Sequence, residues 1–142
     1  MTELSTRRSL PIALLRARES VMQNNRPMLN NIGLTEQKWR VLRSLNESGE
    51  VEQTAIARDA CLLLPSLTRI LKSLEEDGFV GRAQDQDDKR RTLVSITAKG
   101  RNLVQENLGM ADKVNADLEQ KLGREKLEQL LDLLDDLQGR RT

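Results

Sequence analysis

The stretch Leu34–Gly100 decides the fold, and its sharpest part is Asp88-Lys89-Arg90 followed by Leu93-Val94-Ser95-Ile96-Thr97-Ala98-Lys99-Gly100. Two strand-like runs, Phe79 to Ala83 and Thr92 to Thr97, flank a loop carrying Asp85, Asp87, Asp88, Lys89, Arg90 and Arg91. Strand-forming residues on either side of a polar loop are the pattern of a β-hairpin. Just before it, Pro65 to Asp77 repeats Leu67, Ile70, Leu71 and Leu74 at helical spacing. Ser66, Thr68, Arg69, Lys72 and Ser73 lie off that apolar stripe. Pro65 suits a first helical position, where its missing N–H costs nothing, and Gly78 suits a left-handed stop. A helix beside a basic-tipped ribbon is able to touch two grooves of one duplex. The stretch therefore predicts a winged helix-turn-helix that binds double-stranded DNA.

Working outward, Glu52 to Ala60 reads as a short helix with Ala55, Ile56 and Ala60 facing in, and Leu62-Leu63-Leu64 as the turn after it. Thr35 is placed to cap the preceding helix, Glu36 favours its dipole, and Lys38 stands where a capping box would need an acid. Trp39, Val41, Leu42 and Leu45 form that helix's apolar side, and Ser48-Gly49 ends it. Further upstream, Pro11 to Asn24 reads as a helix; Arg26-Pro27 predicts a break, with a brief resumption at Met28. Downstream, Thr97 caps a long helix with the stripe Val104, Leu108, Ala111, Val114, Leu118 and Leu122, stopped by Gly123. A last helix, Arg124 to Gln138, repeats leucine at positions 127, 130, 131, 134 and 137.

The expected fold is mainly α with a small β-hairpin wing. Residues 33–101 would form the winged helix-turn-helix, and residues 1–32 with 102–142 a helical dimerisation region. The terminal stripes also have an ordinary use, packing on one another within a monomer. The leucine face is broad for one neighbour, however, and large exposed apolar faces mark partner sites, so a homodimer is expected.

Composition sets limits around this reading. The 142 residues suffice for one core, and 32% charged with 37% apolar residues suits an ordered helical chain. One cysteine excludes a disulfide framework, and neither an export signal nor an apolar run of membrane-spanning length is seen, so the expected location is the cytoplasm, without membrane contact. A net charge of +1 gives no general attraction to nucleic acid. Residues 1–32 carry five Lys/Arg against two Asp/Glu, 33–101 twelve against eleven, and 102–142 six against nine. Affinity depends on the phosphates neutralised at the contact face, so local placement matters more than the total. Arg69, Lys72, Arg82, Lys89, Arg90 and Arg91 fall where a duplex would approach, while Glu75, Glu76 and Asp77 gather at the helix end.

The order of elements, with one motif, resembles the MarR family of bacterial regulators. That family's signature is Asp-x-Arg, five residues, an aliphatic residue, Thr, two residues and Gly; here it stands as Asp88, Arg90, Ile96, Thr97 and Gly100, with isoleucine where leucine is usual. Ile12-Ala13-Leu14-Leu15-x-Ala17-Arg18-Glu19, Arg26-Pro27, Leu34-Thr35-Glu36-Gln37-x-Trp39-Arg40 and Ala60-Cys61-x-Leu63-x-Pro65-Ser66-Leu67-Thr68 are similar to its HpaR branch. That branch represses operons for homoprotocatechuate and 4-hydroxyphenylacetate breakdown and responds to those acids. The resemblance implies a dimeric repressor, a pseudo-palindromic operator and a small aromatic carboxylic acid as effector. It also implies that Arg90 enters the minor groove with Asp88 orienting its guanidinium.

Several residues have two readings. Ser66, Thr68, Arg69, Lys72 and Ser73 are either an ordinary polar face or the major-groove contact, with Arg69 suited to a guanine edge and Lys72 to phosphate. Gln53 or Thr54 offers a further contact. Asp88, Lys89, Arg90 and Arg91 are either a solvated loop or the wing's DNA contact. Arg16, Arg18 and Arg40 suit an effector carboxylate and Trp39 its ring, or else Trp39 is core and the arginines pair with Glu19 and Glu36. Cys61, among Ala60, Leu62, Leu63 and Leu64 with no adjacent base, is expected to be a buried inert thiol rather than a redox sensor. With no histidine, metal-spaced cluster or Gly-rich phosphate loop, no enzyme, cofactor or metal is expected. A winged helix used only for protein contact is the remaining alternative, and the basic tip argues against it.

Overall fold

In a computed structural model, which describes residues 8–139, the chain runs α1 (Leu10–Ile32), α2 (Glu36–Ser48), β1 (Val51–Glu52), α3 (Gln53–Asp59), α4 (Leu64–Glu76), β2 (Val80–Gln84), β3 (Thr92–Ile96), α5 (Ala98–Leu122) and α6 (Arg124–Gln138). The mainly helical fold and the hairpin are as the sequence predicts. The sheet has a third strand that the sequence reading lacked. Its order is β1-β3-β2, all antiparallel, with Val51 opposite Val94, Glu52 opposite Leu93 and Val80 opposite Ile96. Two residues are too few to show an alternating pattern, so β1 is visible only through its partner.

The contacts divide the chain into two units, Met1–Pro27 with Gly109–Thr142, and Met28–Leu108. The second holds the core. Met28, Leu29, Trp39, Val41, Leu42, Leu45, Ile56, Ala60, Leu67, Ile70, Leu71, Leu74, Val80, Val94, Ile96 and Val104 are all buried there. This explains where the division falls: Met28, Leu29 and Val104 belong to helices shared by both units, yet their side chains complete this core. In the first unit none of the described residues is buried, and Leu131, Leu133 and Leu137 of α6 are 53%, 64% and 57% exposed. The outermost residues of the expected dimerisation region, 1–7 and 140–142, lie outside the described residues.

Two local expectations are corrected. The first helix does not stop at Asn24 but continues through Pro27 to Ile32. A proline inside a helix costs about 3 kcal/mol, and fully burying Met28 and Leu29, at 2% and 5% exposure, offsets that on a similar scale. Cys61 is exposed, not buried. It follows the buried Ala60, the C-cap of α3, in a left-handed conformation, φ 54°, which turns its side chain outward. Leu63 and Leu64 are likewise exposed, so an apolar run in sequence here is not an apolar environment.

The remaining boundaries follow from caps. Thr35 Oγ1 accepts from the Lys38 N–H at 3.2 Å, which starts α2 as expected. Thr97 Oγ1 accepts from the Gly100 N–H at 3.1 Å and donates to the Gly78 carbonyl at 2.7 Å, so one hydroxyl caps α5 and ties it to the end of α4. Gly100 sits against the wing's base: a Cβ there would meet the Phe79 carbonyl oxygen at 2.3 Å and Ile96 Cγ1 at 2.8 Å. By contrast, no described atom lies within 4 Å of a Cβ added at Gly109 in the same helix. Gly→Ala inside a helix ordinarily gains about 1 kcal/mol. Gly109→Ala should therefore raise the urea midpoint, whereas Gly100→Ala should lower it by the cost of overpacking, about 1–3 kcal/mol. Equal shifts in both variants would refute the close-packing account of Gly100.

Candidate nucleic-acid interface

The polar face of α4 splits into two rows. Ser66, Arg69 and Ser73 share a side at helical spacing and, with Thr35, Gln37, Lys38 and Ile70, line an open groove of about 360 Å³ beside the start of α2. The groove's lining contains two cations and no carboxylate. Lys38 has no sequence signal for this place: locally it stands only where a capping box would need an acid, and its nearness to Arg69 depends on tertiary packing. Thr68 and Lys72 form the other row, and both are exposed. Thr68 Oγ1 donates to the Leu64 carbonyl at 3.0 Å and accepts from Gln53 Nε2 at 2.7 Å. Its one hydroxyl proton is thus used internally, leaving its methyl and a lone pair to the outside. Gln53, expected as a contact in its own right, instead braces α4 from the first residue of α3.

The wing loop is organised by its acids. Asp85 Oδ1 accepts from the Asp87 N–H at 2.9 Å, and Asp88 Oδ1 from the Arg90 N–H at 3.1 Å, two turns of the kind short carboxylates favour. Asp88 also receives the guanidinium of Arg90, Nε on Oδ1 at 3.1 Å and Nη2 on Oδ2 at 3.4 Å. Arg90 is nevertheless 92% exposed, so the pair aims the guanidinium without hiding it. Lys89 is exposed beside it. Arg91 turns the other way, its Nε to Glu52 Oε1 and its Nη1 3.6 Å from Asp85 Oδ2.

Arg82, expected among the duplex-facing bases, is engaged elsewhere. It pairs in register with the fully buried Val94, and its guanidinium binds Glu75 Oε1 of α4 at 2.9 Å. Its stem thus lies on the covered face of the sheet while the charged head reaches the edge. Phe79, Lys99, Asn102, Leu103 and Glu106 line a second groove in this unit. Lys99 there is already spent, with Nζ 2.7 Å from the Asp77 carbonyl and 4.8 Å from the centre of the Phe79 ring.

The residues expected for an effector divide between the two units. Arg16 and Arg18 are exposed on α1. Trp39 is in the core, at 7% exposure. Arg40 Nε lies 3.0 Å from Glu36 Oε1, close enough to pair in charge, but the N–H is not aligned as a hydrogen bond and the nitrogen is buried. Glu19 pairs with Arg26 at 2.7 Å.

A polar-faced helix α4, a short helix α3 that braces it and a wing whose tip holds an exposed arginine complete the geometry, beside which the comparisons with known proteins stand. The MarR family model matches residues 34–92. The HTH-type transcriptional regulator FarR of Neisseria gonorrhoeae is 40% identical over 96% of this chain and 94% of its own length. This chain belongs to the MarR family. The homoprotocatechuate degradative operon repressor of Escherichia coli is 39% identical over 90% of this chain and 86% of its own. The crystal structure of NadR in complex with 4-hydroxyphenylacetate is similar at a TM-score of 0.83 and 41% identity, covering 96% of this chain and 97% of that one. These relatives are consistent with the HpaR branch. A MarR-family chain is a transcriptional regulator and not an enzyme.

The electrostatics of this MarR wing give a pH prediction. The Arg90 side chain, then its backbone N–H, hold the Asp88 carboxyl below the usual 3.8. The pair is therefore complete above that value and lost only as the pH falls through the lowered one. Arg82 likewise lowers Glu75, and Arg26 lowers Glu19. No histidine is present to titrate near neutrality. Affinity for an operator duplex should stay flat between about pH 5.5 and pH 8 at constant salt. A tenfold change in an anisotropy titration over that range would show that another group controls the interface.

Proposed function

We propose that this MarR-family regulator is a dimeric repressor that binds a pseudo-palindromic operator and is released by a small aromatic carboxylic acid. The observation that carries the DNA half is the aimed and exposed Arg90, held by Asp88 at the tip of the wing. In this reading Arg90 enters the minor groove, where narrow A·T-rich tracts concentrate negative potential. Lys89 accompanies it, while Ser66, Thr68, Arg69, Lys72 and Ser73 address the major groove and its phosphates. Lys38 adds a second cation beside Arg69 for the backbone.

The dimer is supported by the first unit, whose described residues bury nothing on their own and leave α6 leucines open to solvent. A second copy is the simplest cover for such a surface. Two reading helices would then meet half-sites about 10 base pairs apart. Arg90→Ala should weaken binding to an operator duplex strongly and reduce the slope of log K against log salt by about one. Undiminished affinity in a gel-shift series would remove Arg90 from the reading set.

For the effector, the support is chemical. Arg40 Nε is a buried donor without an aligned acceptor, one position from the only indole in the chain. A planar guanidinium suits a carboxylate and an indole suits an aromatic ring. Arg16 and Arg18 on α1 are the further candidates. NadR, bound to 4-hydroxyphenylacetate, indicates the acid to test first. That acid at 100 times its dissociation constant should stabilise the protein by about 2.7 kcal/mol, giving a clear thermal shift, and should lower operator affinity. Trp39→Phe and Arg40→Gln should each shrink the shift. A shift that neither variant alters would place the acid elsewhere, and no shift with any phenylacetate or benzoate would end the aromatic-acid reading.

A further inference from the structure

The neck of the wing carries a cation that does not face outward with Arg90. Arg91 Nε forms an ion pair with Glu52 Oε1, and Arg91 Nη1 lies 3.6 Å from Asp85 Oδ2, a side chain only 16% exposed. Its backbone is fixed as well: the Arg91 carbonyl accepts from the Asp85 N–H, and the Arg91 N–H donates to the Asp88 carbonyl, both at 3.0 Å. Glu52 is the last residue of β1 and the N-cap position of α3. The next residue, Gln53, donates to Thr68 on α4 at 2.7 Å. Two adjacent residues thus reach in different directions, one to the wing and one to the DNA-facing helix.

We propose that Arg91 and Glu52 are positioning residues, a strut that sets the wing's angle relative to α4 so that both reach their grooves on one duplex. The proposal rests on the DNA-binding reading and deepens it. As a phosphate contact, Arg91 would have to abandon two carboxylates in order to gain one phosphate. As a strut it uses both where they stand. A partly exposed pair of this kind contributes little to global stability, so its effect is on geometry. The wing joins the rest of the unit at its base, and a small rotation at the neck becomes a larger displacement at Arg90.

The sign of one substitution separates the alternatives. Glu52→Gln removes a negative charge and, by charge alone, should favour DNA. As part of a strut it should instead weaken binding, with Arg91→Ala, by roughly fivefold to tenfold, the scale of coupling between contacting residues. The probes are a duplex selected by the wild-type chain from a random library and an unselected duplex of equal length. For the selected duplex both variants should keep the wild-type salt slope, and for the unselected one Glu52→Gln should bind as wild type. The exchange Glu52→Arg with Arg91→Glu should restore operator affinity and guards against simple misfolding. Glu52→Gln binding as well as or better than wild type would overturn the strut, as would a salt slope lower by about one for Arg91→Ala or a failed exchange. Failure of Arg90→Ala to weaken binding would instead strike the wing reading itself, and a wild-type chain that selects no duplex would strike the proposed function.

Discussion

The joint between Gly78-Phe79 and Thr97–Gly100 is the constraint on which the winged-helix unit depends. The end of α4, the start of β2, the end of β3 and the start of α5 all meet there. Thr97 N–H donates to the Phe79 carbonyl at 3.0 Å, while its hydroxyl serves Gly78 and Gly100 together. Because Gly100 has no Cβ, α5 is able to seat its first turn on the Phe79 carbonyl. Lys99 closes the outer side by binding the Asp77 carbonyl, an acceptor left over at the end of α4. The wing thus leaves the unit from a base held by these bonds. That is a suitable arrangement for a ribbon that has to keep station with a neighbouring helix. It also gives a physical meaning to the final Ile-Thr-x-x-Gly of the family signature: a buried side chain, a bifunctional cap and a missing Cβ.

What was legible in the sequence was whatever a repeating pattern or a local cap determines. The stripes of α2 and α4 appear intact as the core, and Thr35 and Thr97 cap the helices they were expected to cap. What was not legible depends on partners distant in sequence. Pro27 fails to break α1 because Met28 and Leu29 gain a core there. β1 is defined by Leu93 and Val94, some forty residues away, and not by its own two residues. Cys61 shows the same limit from the other side, since Leu63 and Leu64, which follow it in sequence, are themselves on the surface. The candidate site was legible as a set of residue types but not as a division of labour. Arg82, Arg90 and Arg91 look alike in sequence, and only their carboxylate partners separate a brace to α4, an exposed wing-tip cation and a neck contact.

Those partners also resolve the near-zero charge. A segment with almost as many acids as bases is a weak candidate for DNA by bulk attraction, yet Glu52, Glu75, Asp85 and Asp88 are each engaged with a specific arginine. Aiming a base costs an acid, so a wing that orients its cations approaches neutrality as a consequence of doing so. Such a surface gains less from long-range steering and depends more on contact geometry.

The two units differ in how their order is maintained. The winged-helix unit buries side chains from every one of its helices and from β2 and β3, and so holds its own core. The helical unit of the termini buries none of its described residues, which means its apolar stripes still have free energy to release on contact with something else. If a second copy supplies that contact, the stability of this unit depends on protein concentration while that of the winged-helix unit need not. A contact made there then has most leverage, because a unit with little core of its own responds to a small difference in binding energy more than a well-packed one does.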